Sequence, residues 1–267
     1  MSGPLAVAVA GASGQMGAAL IRLIAEGGPA TGLVLRGAWD RPDSPLIGAE
    51  VAPGVRAVAD AAAALNGADV YIDFTRPEAS LEHARLADSL GIAGVVGTTG
   101  FDGDPAALLA AAAPRTPLVW AANFSVGVNL LLRLVEDAAA ALSAADADAE
   151  IVELHHRRKV DAPSGTAVAL LQAVQRGRGE AGDVRHGRQG IVGARPTGEI
   201  AVHAVRGGDI VGDHTVYFIG GGERLELTHR AHTRDVFAHG ALRAARWIVG
   251  RAAGVHGMRD VLASSAG

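Results

Sequence analysis

The chain has 267 residues, 49% of them hydrophobic and only 4% aromatic, with 36 glycines and a formal net charge of −4. With no cysteine, disulfides, thiolate metal sites, iron–sulfur clusters and cysteine nucleophiles are excluded together, and the mild acidity leaves no electrostatic case for nucleic acid. No apolar run approaches the ~20 residues that a membrane span needs, and Met1–Ala10 lacks a signal peptide's basic start, so no membrane partner and a cytoplasmic location are expected. Of the 24 basic side chains, 23 are arginine and one is lysine, Lys159.

The first half alternates short apolar runs with helical spacing. Leu5–Ala10, Leu33–Arg36, Val70–Phe74, Ala93–Val96 and Leu118–Ala122 each end in glycine or a polar turn and read as buried strands. Between them, Met16–Ala25 carries Met16, Leu20, Leu23 and Ile24 on one helical face. Pro77–Leu90 opens on a first-turn proline and keeps Leu81, Ala84 and Leu86. This alternation predicts an α/β, Rossmann-type domain: a doubly wound parallel sheet, binding its ligand beyond the C-terminal ends of the strands.

The second half reads differently. Val126–Leu142 is expected as a connecting helix with Leu130, Leu131, Leu134 and Val135 facing a core. Ile151–Arg158, Ile200–Arg206, Thr215–Ile219 and Arg224–His229 alternate apolar with polar residues, and Gly220–Gly222 signals a hairpin between the last two. A second, α+β domain with a half-solvated mixed sheet fits. Gln175–Gly198 is rich in glycine and arginine, lacks periodicity, and reads as a mobile loop or lid. Arg234–Arg251 returns to helix, and Met258–Leu262 closes the chain.

The strand ends carry the first candidate site. After the first strand comes Gly11-Ala12-Ser13-Gly14-Gln15-Met16-Gly17. Glycines there permit a tight turn, backbone approach to a pyrophosphate and close helix–strand packing, and the following helix aims its N-terminal amides at phosphate. The bland alternative is an unliganded turn. Asp40-Arg41 at the next strand end suits adenosine ribose hydroxyls and a 2′-phosphate respectively, and reads equally well as turn chemistry. Asp73–Pro77, Gly97-Thr98-Thr99-Gly100 and Ala121-Ala122-Asn123-Phe124-Ser125 end the later strands. Taken together they resemble the wall of one cleft.

The densest chemistry lies between Glu153 and Thr166, where His155-His156-Arg157-Arg158-Lys159 sets five cation-capable side chains in a row. Adjacent strand histidines point to opposite faces, and with no H-E-x-x-H pattern no metal site is expected. If the strand continues, His155, Arg157 and Lys159 share a face. Asp161-Ala-Pro-Ser-Gly-Thr166 then leads into a helix, Ala167–Gln175, whose capped N-terminus is an anion site by geometry. A cationic strand feeding such a helix suggests a substrate with more than one carboxylate; a capped helix beside a solvated basic surface is the alternative.

Six motifs resemble the 4-hydroxy-tetrahydrodipicolinate (dihydrodipicolinate) reductase family: Gly11–Gly17, Ile72–Thr75, Gly97–Phe101, Ala121–Asn129, His155–Thr166 and Arg206–Thr215. The resemblance implies hydride transfer from NADH or NADPH to a cyclic imine dicarboxylate, with loss of a hydroxyl as water. It implies cofactor contacts at Gly11, Ala12, Ser13, Gly14, Gln15, Met16, Asp40, Arg41, Gly97, Thr98, Thr99, Ala121, Ala122, Asn123 and Phe124. It implies catalytic roles for His155 and Lys159, substrate contacts at His156, Gly165 and Thr166, and a homotetramer joined through the second sheets. The nucleotide domain is then 1–125 plus 236–267, and the substrate and oligomerisation domain 126–235. Aspartate at position 40, shorter than the glutamate often found there, leaves the choice of cofactor open.

The residue chemistry agrees with that role. Electron density left on a ring by hydride must be protonated, and histidine or a partly buried lysine can donate near neutrality whereas arginine cannot. Two rivals are a different Rossmann dehydrogenase and a non-catalytic NAD(P) sensor. The semialdehyde type needs a cysteine, which is missing. A sensor needs Gly11–Gly17 and not the His155–Lys159 cluster.

Overall fold

β1 (Leu5–Ala10) alternates valine with alanine, so both of its faces are apolar and both must be covered. Val7 and Val9 enter one core and Ala8 and Ala10 the other, which sets β1 in the middle of a sheet with helices on either side. In this computed structural model, residues 3–28 and 31–263 are described. The chain forms two units: one takes it up to Val126 and again from Asp235 onward, and the other takes Gly127–Arg234.

In the first unit the chain runs β1, α1 (Gln15–Gly27), β2 (Leu33–Trp39), β3 (Glu50–Ala52), β4 (Val55–Val58), α2 (Ala61–Leu65), β5 (Val70–Asp73), α3 (Pro77–Leu90), β6 (Ala93–Val96), α4 (Pro105–Ala112) and β7 (Pro117–Trp120). α5 (Val126–Ala141) leads out of it. The returning chain supplies α7 (Asp235–Ile248), β13 (Gly254–His256) and α8 (Met258–Ala263). Strand order is β13-β7-β6-β5-β1-β2-β4-β3, parallel except for the antiparallel β3–β4 edge. α1 and α7 cover the Val7/Val9 face and α2, α3 and α4 the other. This is the doubly wound α/β sheet, with its switch point between β1 and β5. The short pieces β3, β4, α2 and β13 have too few residues to show a period, and escape a reading by periodicity.

The second unit holds most of α5, then β8 (Ala147–His155), α6 (Gly165–Arg178), β9 (Asp183–His186), β10 (Glu199–Arg206), β11 (Gly212–Gly220) and β12 (Arg224–Ala231). The sheet order is β12-β11-β8-β10-β9, with β8, β9 and β10 parallel and β11 antiparallel to both neighbours. β8 alternates buried and half-buried residues along its whole length. Ala147, Ala149 and Ile151 pack with Leu131, Val135, Leu170 and Val174 of α5 and α6 in one core. β11 and β12 turn at Gly220–Gly222, where the Gly220 amide donates to the Glu223 carbonyl at 2.9 Å.

Two expectations are corrected here. The buried face of α5 is Val128, Leu131, Val135 and Ala139, while Leu130 and Leu134 are 50% and 44% exposed. With Leu131 and Val135 turned inward, the residues one position earlier sit about 100° round the helix, and leucine there marks no core. The Gln175–Gly198 stretch is not one free loop. α6 continues to Arg178 and is closed by left-handed Gly179, and β9 adds an edge strand. The remainder is pinned to the sheet by Arg188, paired with Glu150 and Glu199, and by Arg195, paired with Asp148 at 2.5 Å and Glu150 at 2.9 Å. The pairs to Asp148 and Glu150 span 38 to 47 residues, beyond any local pattern. Among the described residues no helix is long and apolar enough to cross a membrane.

Gly17 decides how closely α1 packs on the end of β1, because a Cβ there would overlap the Gly11 carbonyl. Gly17→Ala is expected to cost about 1–3 kcal/mol, read as a lower midpoint in urea unfolding with an unchanged slope.

Candidate active site

In the first unit the predicted cofactor residues gather at the C-terminal ends of the strands. Gly11 turns the chain out of β1 with φ of +66°, and a Cβ there would lie 2.8 Å from the Thr75 methyl, beyond the end of β5. Ala12 and Gly17 are buried, while Ser13, Gly14 and Gln15 stand exposed at the crest with Met16 beside them. Gly14 caps α1 without a side chain. A loop stripped of side chains where backbone meets backbone, opening a helix, is what a pyrophosphate requires, so these residues fit a dinucleotide.

Asp40 follows β2 and is 9% exposed. Its carboxylate accepts the Ser13 amide at 2.6 Å and the Arg41 amide at 2.8 Å. Burial would raise this carboxyl, but the donors from Ser13 and Arg41 prevail and hold it below the ordinary value. Asp40 therefore ties the crest of the glycine loop to β2. The Arg41 guanidinium is largely exposed, with Asp43 at 3.1 Å.

Gly97, Thr98 and Thr99 follow β6. The Thr98 hydroxyl meets Ser80 at 2.7 Å and its carbonyl accepts the Trp120 indole at 3.1 Å, while Thr99 is exposed. After β7, Ala121 and Phe124 are buried, Ala122 is exposed and Asn123 is half-buried. Phe124 stacks edge-on against Phe74 at 5.5 Å. The sequence reading missed the support beneath these ends. The Trp39 indole donates to His83 Nε2 at 3.1 Å, so His83 donates through Nδ1 to buried Asp73 at 2.8 Å. Asp73 also accepts from the amide and hydroxyl of Thr75. Asp73 and Thr75 stood in the quoted motif; His83, on a helix between, carried no signal.

In the second unit the strand does not continue through the basic run, which corrects the shared-face expectation. β8 ends at His155, where Gly207 and Ile210 take up the backbone: the Gly207 amide donates to the His155 carbonyl and the His156 amide to the Ile210 carbonyl. Lys159 closes a turn onto the His156 carbonyl at 3.1 Å. Its ammonium holds both Asp161 carboxylate oxygens at 2.8 Å. Its side chain is 20% exposed. A cis Ala162–Pro163 bond follows, then Ser164, whose hydroxyl caps α6 by accepting the Ala167 amide at 3.2 Å. Gly165 is exposed and Thr166 half-buried in the first turn. His156 lies half-buried with Nε2 at 3.4 Å from Arg234, its Nδ1 buried without a partner among the described residues.

Behind them sits Glu153, buried on the same strand face as His155. It accepts from His155 Nδ1 at 2.5 Å, from the Ser164 amide at 3.0 Å and from both terminal nitrogens of Arg206 at 2.8 Å. Burial pushes its carboxyl up, and Arg206, His155 and Ser164 bring it below the ordinary range. His155 is lowered, first by burial and then by Lys159 and Arg206, against the upward pull of Glu153. Buried His214 meets Ser164 Oγ at 3.1 Å and the His155 ring edge-on at 5.1 Å. Glu153 and Arg206 lay inside quoted segments, but a pairing 53 residues apart leaves no spacing signature.

This architecture recurs in solved structures. A dipicolinate-bound dihydrodipicolinate reductase from Paenisporosarcina sp. TG-14 superposes with a TM-score of 0.77 at 24% identity, covering 95% of this chain and 97% of that one. An amine dehydrogenase from Mycobacterium smegmatis does so with 0.63 at 13% identity, covering 94% of both. At those identities the likeness is one of fold: a Rossmann-type α/β unit joined to a second, α+β unit. The sequence carries the assignment further. Models of dihydrodipicolinate reductase match residues 5–124 (N-terminus) and 127–262 (C-terminus). A 4-hydroxy-tetrahydrodipicolinate reductase from Thiobacillus denitrificans is 52% identical over 265 residues, covering 96% of this chain and 97% of its relative. One from Myxococcus xanthus is 46% identical over 264 residues, with 95% and 96% covered. The chain belongs to the dihydrodipicolinate reductase family, and family and fold together imply a nicotinamide cofactor.

Burial lowers His214 from the ordinary 6.5 to about 4, with nearby His155 adding to the effect. The unfolded chain therefore takes up a proton that the folded chain refuses. Stability from this group is complete above 6.5 and is lost as pH falls toward 4. Thermal unfolding across that window is expected to show a falling midpoint, with a shallower fall in His214→Asn.

Proposed function

We propose that the protein reduces 4-hydroxy-tetrahydrodipicolinate to tetrahydrodipicolinate, with loss of water, using NADH or NADPH, as a cytoplasmic step of diaminopimelate and lysine biosynthesis. The observation that carries this reading is the meeting of His155, Lys159 and the Ser164-capped start of α6 at one end of the second sheet. The first unit is the dinucleotide-binding domain and the second the substrate domain. The nicotinamide, when bound, supplies a hydride to the cyclic imine. The glycine loop and the start of α1 hold the pyrophosphate, Asp40 and Arg41 border the adenosine ribose, and Gly97–Thr99 with Ala121–Phe124 border the nicotinamide end. His156, Gly165 and Thr166 bind substrate carboxylate. Lys159, released from Asp161 as a substrate carboxylate takes its place, delivers to the ring the one proton that accompanies the hydride, while His155 takes a ring proton and returns it to the departing hydroxyl, which leaves as water. The second sheet's face turned away from α5 and α6 carries exposed Val205 and Ile219, which supports a homotetramer joined there.

The direct test follows NADPH absorbance with substrate generated by the preceding synthase. Cofactor binding without oxidation would favour the sensor reading. Lys159→Arg keeps the charge but gives up no proton; kcat is expected to fall about a hundredfold or more with KM for substrate little changed. Near-normal turnover would sink the proton-donor role. Wild-type kcat/KM for NADH and NADPH should agree within about tenfold, and Arg41→Ala should lower the NADPH value alone by about tenfold or more, the worth of one charge-assisted bond.

A further inference from the structure

We propose that Glu153 is a positioning residue that fixes His155 in the tautomer protonated on Nδ1, making Nε2 the nitrogen that exchanges a proton with substrate, and that Arg206 sets the strength of that hold. The inference rests on the reading of His155 as an acid–base residue and adds the device that orients it.

A carboxylate clasped by a bidentate guanidinium and a backbone amide is ionised and can only accept. All of the Glu153 contacts arrive as donors: Arg206 Nη1 and Nη2 at 2.8 Å, the Ser164 amide at 3.0 Å and His155 Nδ1 at 2.5 Å. The hydrogen between Glu153 and His155 therefore sits on Nδ1 in the neutral ring. Nε2 keeps the lone pair and faces Gly212, where an added Cβ would come within 3.0 Å of it. The glycine leaves that nitrogen room, and His155 remains 9% exposed.

The same carboxylate grips the Ser164 amide at the mouth of α6. One buried group thus sets the acid–base ring and the helix start at a fixed separation. Arg206 comes from the end of β10, directly across the ladder from His155, and also donates to the Asp161 carbonyl at 2.7 Å. By sharing the Glu153 charge it weakens the pull on the imidazole. The charged or titratable groups facing His155 are Glu153 on β8, Arg206 on β10, His214 on β11 and Lys159 in the turn, with the uncharged Ser164 at the start of α6. Burial, Lys159 and Arg206 lower the ring and Glu153 raises it, so removing Glu153 and removing Arg206 act in opposite directions.

The test uses full-length enzyme. Nitrogen-15 spectra of the neutral His155 ring, assigned against His155→Gln, are expected to show a protonated Nδ1 and a bare Nε2; the other tautomer overturns the proposal. Glu153→Gln is expected to move the His155 titration, and the limb of the kcat/KM profile that follows it, to lower pH. It should also cut kcat by about a hundredfold, the scale of a displaced acid–base group, with NADH affinity by fluorescence unchanged. Arg206→Gln is expected to move both titrations to higher pH. Loosened packing would not produce opposite shifts, so shifts in one direction, or none, also overturn it. Should Glu153→Gln fail to fold, the wild-type tautomer and the Arg206 arm decide. Full turnover in His155→Gln with Nδ1 protonated in the wild type would remove the acid–base reading and leave the Glu153 geometry standing, so the two failures are told apart.

Discussion

The functional end of the second unit depends on one buried negative charge. Glu153 is fully enclosed, and a carboxylate there is tolerable only because Arg206, His155 and Ser164 all donate to it. Each donor comes from a different piece of chain: the end of β10, the last residue of β8 and the cap of α6. Satisfying one charge therefore brings together the elements from which the site is built. Removing one partner from such a cluster typically costs about 3–5 kcal/mol, so the proposed chemistry and the stability of the unit share these residues.

The first unit solves its problem by other means. There the constraint is the approach of backbone to backbone, Gly17 against the Gly11 carbonyl, with Asp40 holding the Ser13 amide so that the loop keeps its shape. Trp39, His83 and Asp73 tie three strand and helix positions together beneath Thr75, and Ser80 passes the contact on to Thr98. The proposed phosphate loop needs shape and amides, and the proposed acid–base site needs a tuned ring; on that reading the two units supply these separately.

Much of this was legible from residues alone. β1, β5 and β6 are short apolar runs buried on both faces, and their sequence says so. A cap at Ser164 or Thr166 and the hairpin at Gly220–Gly222 follow from turn chemistry, and the fold uses Ser164. Where the reading slipped, a long-range contact had overruled a local pattern. Leu130 and Leu134 suggested a core and face outward, and the glycine–arginine stretch after α6 is organised by Glu150 and Glu199 from other strands. Ile151–Arg158 was read as strand, with Lys159 on its face only if the strand ran on, yet β8 ends at His155 and the backbone turns where residues 207–210 cross it.

The lone lysine illustrates the division. Composition and order along the chain were enough to set Lys159 apart, to place it beside two histidines and a helix start, and to raise the expectation of a cofactor loop and a substrate with carboxylates. Those are properties of residue type and spacing, which the chain carries whether folded or not. Only the tertiary structure decided that Lys159 rests on Asp161, that Arg206 reaches across 53 residues to Glu153, and that His155 turns Nδ1 toward that carboxylate. Which donors a buried charge recruits is settled by whichever strands fold beside it, and adjacency of that kind has no counterpart in local sequence.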